Sequence, residues 1–160
     1  MNTERFERNL KVGKPFEEEA LELLCKLYKH CTVKDTSDYH RVHGRKYLDF
    51  EIYNINGIIR LIDAKCKKVY RYQGTQCISM DETFFDHYSF HANRLGVPCT
   101  IIFKINEGSR SHVGELFVLK DLKETPFFKV PMDNRDGKHD SYFYPLSNLV
   151  RINKAGQMFV

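Results

Sequence analysis

Asp49-Phe50-Glu51-Ile52-Tyr53-Asn54-Ile55-Asn56-Gly57-Ile58-Ile59-Arg60-Leu61-Ile62-Asp63-Ala64-Lys65 is the stretch on which the reading of this chain turns. Two apolar, β-branched runs flank Asn56-Gly57, a pair that marks a hairpin turn. Charges break the pattern where a buried strand should stay apolar. Asp49 sits among Leu48, Phe50 and Ile52, and Asp63 and Lys65 close the run of Ile58, Ile59, Leu61 and Ile62.

Register decides whether these charges meet. With Asn56-Gly57 alone as a two-residue turn, Ile55 pairs with Ile58, and side-chain alternation puts Asp49 and Asp63 on opposite faces. With Ile55-Asn56-Gly57 as a three-residue loop, Gly57 takes the position that tolerates positive φ and Asn54 pairs with Ile58. Counting back then sets Asp49 opposite Asp63, with Lys65 following on the same face. Two facing carboxylates repel unless a cation or proton lies between them. Oxygen ligands of this kind suit Mg²⁺, which keeps several waters and uses one or two carboxylates plus substrate phosphate. Lys65 is then placed to pair with a phosphate or to hold an attacking water, whereas a lone Asp-x-Lys is ordinarily a solvated strand end.

Asp49, a hairpin, then Asp63-Ala64-Lys65 resembles the signature of the PD-(D/E)XK nuclease superfamily, with Leu48 where that pattern usually has proline. The resemblance implies that Asp49, Asp63 and the Ala64 carbonyl bind Mg²⁺, for which Mn²⁺ substitutes, and that Lys65 positions the nucleophile and stabilises charge on the phosphate. It also implies a carboxylate from the first helix, where the family often carries Gly-x-x-x-Glu; Gly13 to Glu17 has that spacing. At about 100° per residue Glu17 falls within the arc of Ala20, Leu24, Leu27 and Cys31, while Glu18 and Glu19 point away. A helix-start role through the macrodipole is the competing account of all three. Glu17 is expected to join the metal-holding set and orient a metal-bound water. Glu51 shares a strand face with Asp49 and is its nearest rival.

Working outward, Pro15 suits the first turn of a helix running to about Cys31, after a charged segment over residues 1–12. A short strand over 31–36 leads into a basic, polar loop with Arg41, His43, Arg45 and Lys46, placed to hold a nucleic-acid backbone. His40-x-x-His43 lacks the partners that would complete a zinc site. Beyond Lys65, Lys67, Lys68 and Arg71 alternate with Tyr70 and Tyr72 as either a strand leaving the core or a basic, aromatic rim that contacts phosphates. A second, aromatic helix runs from Asp81 to about Leu95, capped by Asp81 or Ser79 and stopped by Gly96 and Pro98. Cys99 to Ile105 reads as a buried strand, Gly114 to Leu119 as another, and 121–139 as irregular, with Asp133 to Gly137 a loop. A helical turn precedes Val150-Arg151-Ile152.

The order helix, strand, two-stranded hairpin, helix, strand matches the αβββαβ core of the resembled family over about 13–105. The expected fold is therefore α/β, a mixed central sheet flanked by helices, in one domain with 106–160 as a peripheral extension. The 160-residue chain is long enough for a real core, and its net charge of +4 mildly favours an anionic partner. Its five cysteines are scattered among apolar residues, which fits reduced thiols and a cytoplasmic location better than disulfides. No apolar run reaches the length of a membrane span, so no membrane partner is expected. Absent too are a Gly-x-Ser-x-Gly elbow, a phosphate-binding glycine loop and His-Glu-x-x-His.

Together these readings point to a Mg²⁺-dependent endonuclease acting on DNA. With little room for a base-reading module, a DNA shape such as a branch or junction is the first choice of substrate. The small Holliday junction resolvases of the family, often dimeric, are the closest analogue in size, so a homodimer is among the expected states. A restriction-type or phage nuclease is the alternative, and a binding module without catalysis the alternative of another class.

Overall fold

A computed structural model describes residues 3–134, 137–153 and 155–159, with side chains for 15–132, 139–153 and 155–157. Its first helix, α1, spans Thr3–Leu27 and carries Pro15 inside it, so the helix does not begin at Pro15 as the sequence suggests. Proline lacks the amide hydrogen that the preceding turn would accept, yet its φ is already helical. Burial of Phe16, Ala20, Leu23 and Leu24 against the sheet holds the helix through that missing bond.

The strands follow as β1 (Thr32–Asp35), β2 (Arg41–Val42), β3 (Arg45–Lys46), β4 (Phe50–Asn54), β5 (Gly57–Lys67), β6 (Tyr70–Tyr72) and β7 (Thr75–Asp81). After helix α2 (Glu82–Leu95) come β8 (Cys99–Ile105), β9 (Leu116–Leu119), β10 (Phe128–Asn134), β11 (Gly137–Pro145), β12 (Val150–Ile152) and β13 (Met158–Phe159). The central sheet runs β1-β4-β5-β8-β9-β12-β13. It is mixed: β4 and β5 are antiparallel, β5 and β8 parallel, β8 and β9 antiparallel. Alternation along β5 divides the core. Ile62 packs with Phe16, Ala20, Leu24 and Ile102 under α1, while Leu61 joins Ile101, Phe103, Leu119 and Tyr88 under α2.

The hairpin reaches the expected pairing by another route. Asn54 pairs with Gly57, not Ile58, and the turn is Ile55-Asn56. The Asn54 side chain accepts the Asn56 N–H at 2.8 Å, closing the bend one residue early. Gly57, at φ +119°, allows it. A bulge then lets Ile52 pair with Arg60 while Tyr53 pairs with Ile58, leaving Ile59 as the extra residue. Beyond it Phe50 pairs with Ile62, which again brings Asp49 level with Asp63.

Three segments carry more order than their sequence suggests. The basic stretch 41–46 is a two-stranded ribbon, β2 with β3, turned at His43 and Gly44 with both φ positive. A second sheet, ordered β10-β11-β7-β6, covers α2 and includes much of the expected irregular segment 121–139. β10 is its edge and contains Pro131, which an edge tolerates and which masks the strand in sequence. The expected loop 133–137 is largely strand, Asn134 pairing with Gly137, and Arg135 and Asp136 lie outside the described residues. The expected extension 106–160 supplies β9, β12 and β13 to the central sheet and Tyr144, Leu149 and Ile152 to the core. α2 ends as expected, Asp81 accepting the Thr83 N–H at 2.8 Å and Gly96 closing the helix at φ +66°.

Candidate active site

The open end of the β4–β5 hairpin gathers the acids. Asp49 donates its backbone N–H to Oδ1 of Asp63 at 3.2 Å, and its own Oδ2 accepts the Ala64 N–H at 3.0 Å. These crossed bonds stand where the ladder of β4 has ended, so the two side chains finish the pairing that backbone began. Asp63 is buried, and its Oδ2 accepts the Tyr88 hydroxyl at 3.0 Å and the Lys65 ammonium at 3.1 Å. Burial pushes the Asp49 carboxyl well above the carboxylate range; the Asp63 charge and hydrogen bond add to it, Ala64 opposes it, and Glu17 raises it further. The α1 carboxylate thus acts on the same group as the hairpin acids.

Lys65 lies over the rings of Phe84, at 4.1 Å, and Tyr88, at 5.3 Å. Lys67 follows two residues along the same face of β5. Burial and the Lys65 charge lower its pKa to about 8. Lys46, at the end of the ribbon, reaches the same place, its ammonium 4.4 Å from the Phe84 centroid. Burial and Lys65 push its pKa down, while Asp63 and Asp49 pull it up.

The other basic residues are not gathered there. The Arg41 guanidinium folds back onto the Gly44 carbonyl at 2.8 Å, Arg45 covers Phe90 at 4.1 Å, and His43 meets the Phe90 ring edge at 6.5 Å. They line a ribbon beside the acids. Lys68 turns to line a cavity with Pro15, Phe16 and Lys104, and Arg71 is exposed on β6. Glu19 does not point away as expected; it pairs with Lys104 at 2.7 Å. Glu51, the rival of Asp49, is held as a structural acid: the hydroxyls of Tyr47 and Tyr53 both donate to it, the latter at 2.9 Å.

Among the described residues no three His, Cys, Asp or Glu side chains form a group that could hold a metal ion together. The donors nonetheless fit a hard cation that keeps most of its waters, because the buried Asp63 and the half-buried Asp49 stand side by side, the latter with its pKa raised by desolvation and by Asp63, and favour a divalent ion between them. Asp49 and Asp63 would hold it, with the Ala64 carbonyl and Glu17 nearby in sequence or charge.

Sequence reasoning missed Phe84 and Tyr88. Their spacing of one helical turn was visible, but it reads as core packing, and nothing local links α2 to Asp63. His87 and His91 are not ligands: His87 Nδ1 accepts the Lys46 N–H at 3.0 Å, and His91 is buried edge-on to Tyr47 at 4.8 Å.

A solved structure of Archaeoglobus fulgidus Hjc, a Holliday junction resolvase from an archaeal hyperthermophile, matches 92% of this chain and 98% of its own, with a TM-score of 0.50 and 15% identity. The chain shares the fold of Hjc. No family model and no curated protein matches the sequence. At 15% identity the likeness to Hjc speaks for the mixed sheet and its helices, and the roles of individual residues rest on the geometry above. No helix among the described residues is long and apolar enough to cross a membrane.

Proposed function

We propose that this chain is a divalent-cation-dependent endonuclease that hydrolyses DNA, with branched or junction DNA as its substrate. The observation that carries this reading is the Asp49–Asp63–Lys65 constellation at the open end of a hairpin, on the fold of a resolvase.

Asp49, Asp63, the Ala64 carbonyl and Glu17 would hold Mg²⁺. Such an ion, when bound, lowers the pKa of a water and neutralises charge on phosphate oxygens. Lys65 presents its ammonium to the scissile phosphate. Asp63, on the same strand face, and the rings of Phe84 and Tyr88 keep it aimed. In the reaction the water oxygen bonds to phosphorus as the bond to O3′ breaks, giving 5′-phosphate and 3′-hydroxyl ends, and a proton from the water ends on O3′. Glu17 would help hold the ion and orient the attacking water. The basic ribbon and Lys67 contact the flanking backbone, which carries no base information and so favours recognition by shape.

The test is cleavage of linear, nicked, flapped and four-way DNA with Mg²⁺ or Mn²⁺, with and without chelator. Asp63→Asn and Lys65→Ala are expected to bind DNA and not cut it. Wild-type rates in both variants would remove the assignment, and binding without any cleavage by wild type would favour a binding module instead.

A further inference from the structure

We propose that Lys46 is a second catalytic cation, brought to the scissile phosphate beside Lys65, and that Phe84 is the positioning residue that holds both ammoniums there. The inference rests on the nuclease reading and deepens it, since Lys46 lies outside the hairpin that carries the other groups.

The two ammoniums share one ring. Lys65 lies 4.1 Å and Lys46 4.4 Å from the centroid of Phe84. They come from different strands, β5 and β3, and α2 joins them. Phe84 and His87 stand one turn apart on that helix. The side chain of Lys46 lies on the first while its backbone N–H is fixed to Nδ1 of the second at 3.0 Å. A side chain anchored at both ends is placed, not merely tethered.

Two like charges on one ring repel, here between an exposed Lys46 and a half-buried Lys65. Lys65 is answered by Asp63 at 3.1 Å. Among the described ion pairs Lys46 has none, and desolvation, followed by the nearby Lys65 charge, lowers its pKa. An anion set between the two cations would relieve both, and the one that the neighbouring acids are arranged to serve is a phosphodiester. The ribbon's other cations do not reach Phe84: Arg41 bonds the Gly44 carbonyl and Arg45 lies over Phe90. Lys46 itself feels the charge of both Asp63 and Asp49.

The test uses the full chain with Mg²⁺ and whichever DNA wild type cuts best in the panel above, read as single-turnover rate at saturating protein alongside dissociation constant and melting temperature. Lys46→Ala is expected to lower the rate about a hundred-fold, with the dissociation constant moved by no more than about five-fold; Lys46→Arg should recover part of the rate. Phe84→Leu, which keeps apolar bulk without a π face, should lower the rate in the same direction, and Phe84→Tyr should restore it. A Lys46→Ala protein that cuts at the wild-type rate when saturated, and differs only by weaker binding and a salt slope smaller by about one, overturns the proposal and makes Lys46 an ordinary backbone contact. A folded Phe84→Leu protein with the wild-type rate overturns the platform. Failure of the nuclease reading looks different: wild type cuts no DNA in the panel, and the proposal falls with it.

Discussion

Asp49 and Asp63 are joined by crossed bonds, the backbone N–H of Asp49 on Oδ1 of Asp63 at 3.2 Å and the N–H of the residue after Asp63 on Oδ2 of Asp49 at 3.0 Å. Each acid is thus held through the other's strand, and neither can move without loosening its partner. The arrangement fixes two carboxyl groups side by side, which is costly when both are charged and is relieved by a proton or a cation between them.

That cost gives the first prediction. Because burial and Asp63 raise the Asp49 pKa, the folded chain binds more protons than the unfolded one as pH rises above the ordinary carboxyl value of 3.8, and stability falls through that window. Asp49→Asn removes the penalty and can still accept the Ala64 N–H. It should raise Tm by about 2–4 °C near neutral pH, with the gain growing as pH rises, while abolishing cleavage. Thermal melts across pH check it, and a gain that shrinks with pH would refute it.

Divalent cation binding should carry the same signature from the other side. A cation must displace the shared proton, so affinity should strengthen as pH rises and each binding event should release protons. Titration calorimetry of the metal alone in two buffers of different ionisation enthalpy measures this release, and identical heats in both would count against the pair as the binding site.

Tyr88 donates to the same oxygen of Asp63 that Lys65 pairs with. Tyr88→Phe should cost about 1–3 kcal/mol in urea unfolding, as expected for a buried hydrogen bond to a charged group, and should slow cleavage by freeing Asp63 to follow Lys65. Unchanged unfolding would mean that the hydroxyl contributes nothing to holding the acid.

Glu51 separates structure from chemistry. Glu51→Ala leaves the Tyr47 and Tyr53 hydroxyls without their acceptor and should destabilise by about 2–4 kcal/mol. Its cleavage rate per folded molecule should match wild type. A folded Glu51→Ala protein that cannot cut would return Glu51 to the active set.

Lys67 should show the opposite pH trend to Asp49. With its pKa lowered to about 8, it is neutral in the fold above that pH while still charged in the unfolded chain up to the ordinary lysine value of 10.5. Stability therefore rises from about pH 8 toward 10.5 as the buried charge is lost, and DNA affinity falls over the lower part of that range. In Lys67→Met both changes should flatten, as unfolding and binding curves at pH 7 and 9 would show.

The local signals along the chain were sufficient for much of this. Alternation in 49–65, the apolar period of α1 and the caps of α2 are short-range properties, so the core elements and the facing of Asp49, Asp63 and Lys65 were legible. The register was reached by a different turn, because a side-chain bond from Asn54 and a bulge at Ile59 compensate one another and leave the sum unchanged. β6, β7, β10 and β11 were hidden, since an edge strand with Pro131 and polar neighbours draws its stability from partners elsewhere in the chain.

The sequence by itself determined that Asp49, Asp63 and Lys65 would share one strand face, because side-chain alternation is a local rule. Only the tertiary structure decided their company: that Tyr88 and Phe84 of a distant helix meet Asp63 and Lys65, that Lys46 arrives from the ribbon, and that Glu51 is absorbed by two tyrosines. Those contacts join residues far apart along the chain, and the spacing of one segment contains no record of what packs across from it.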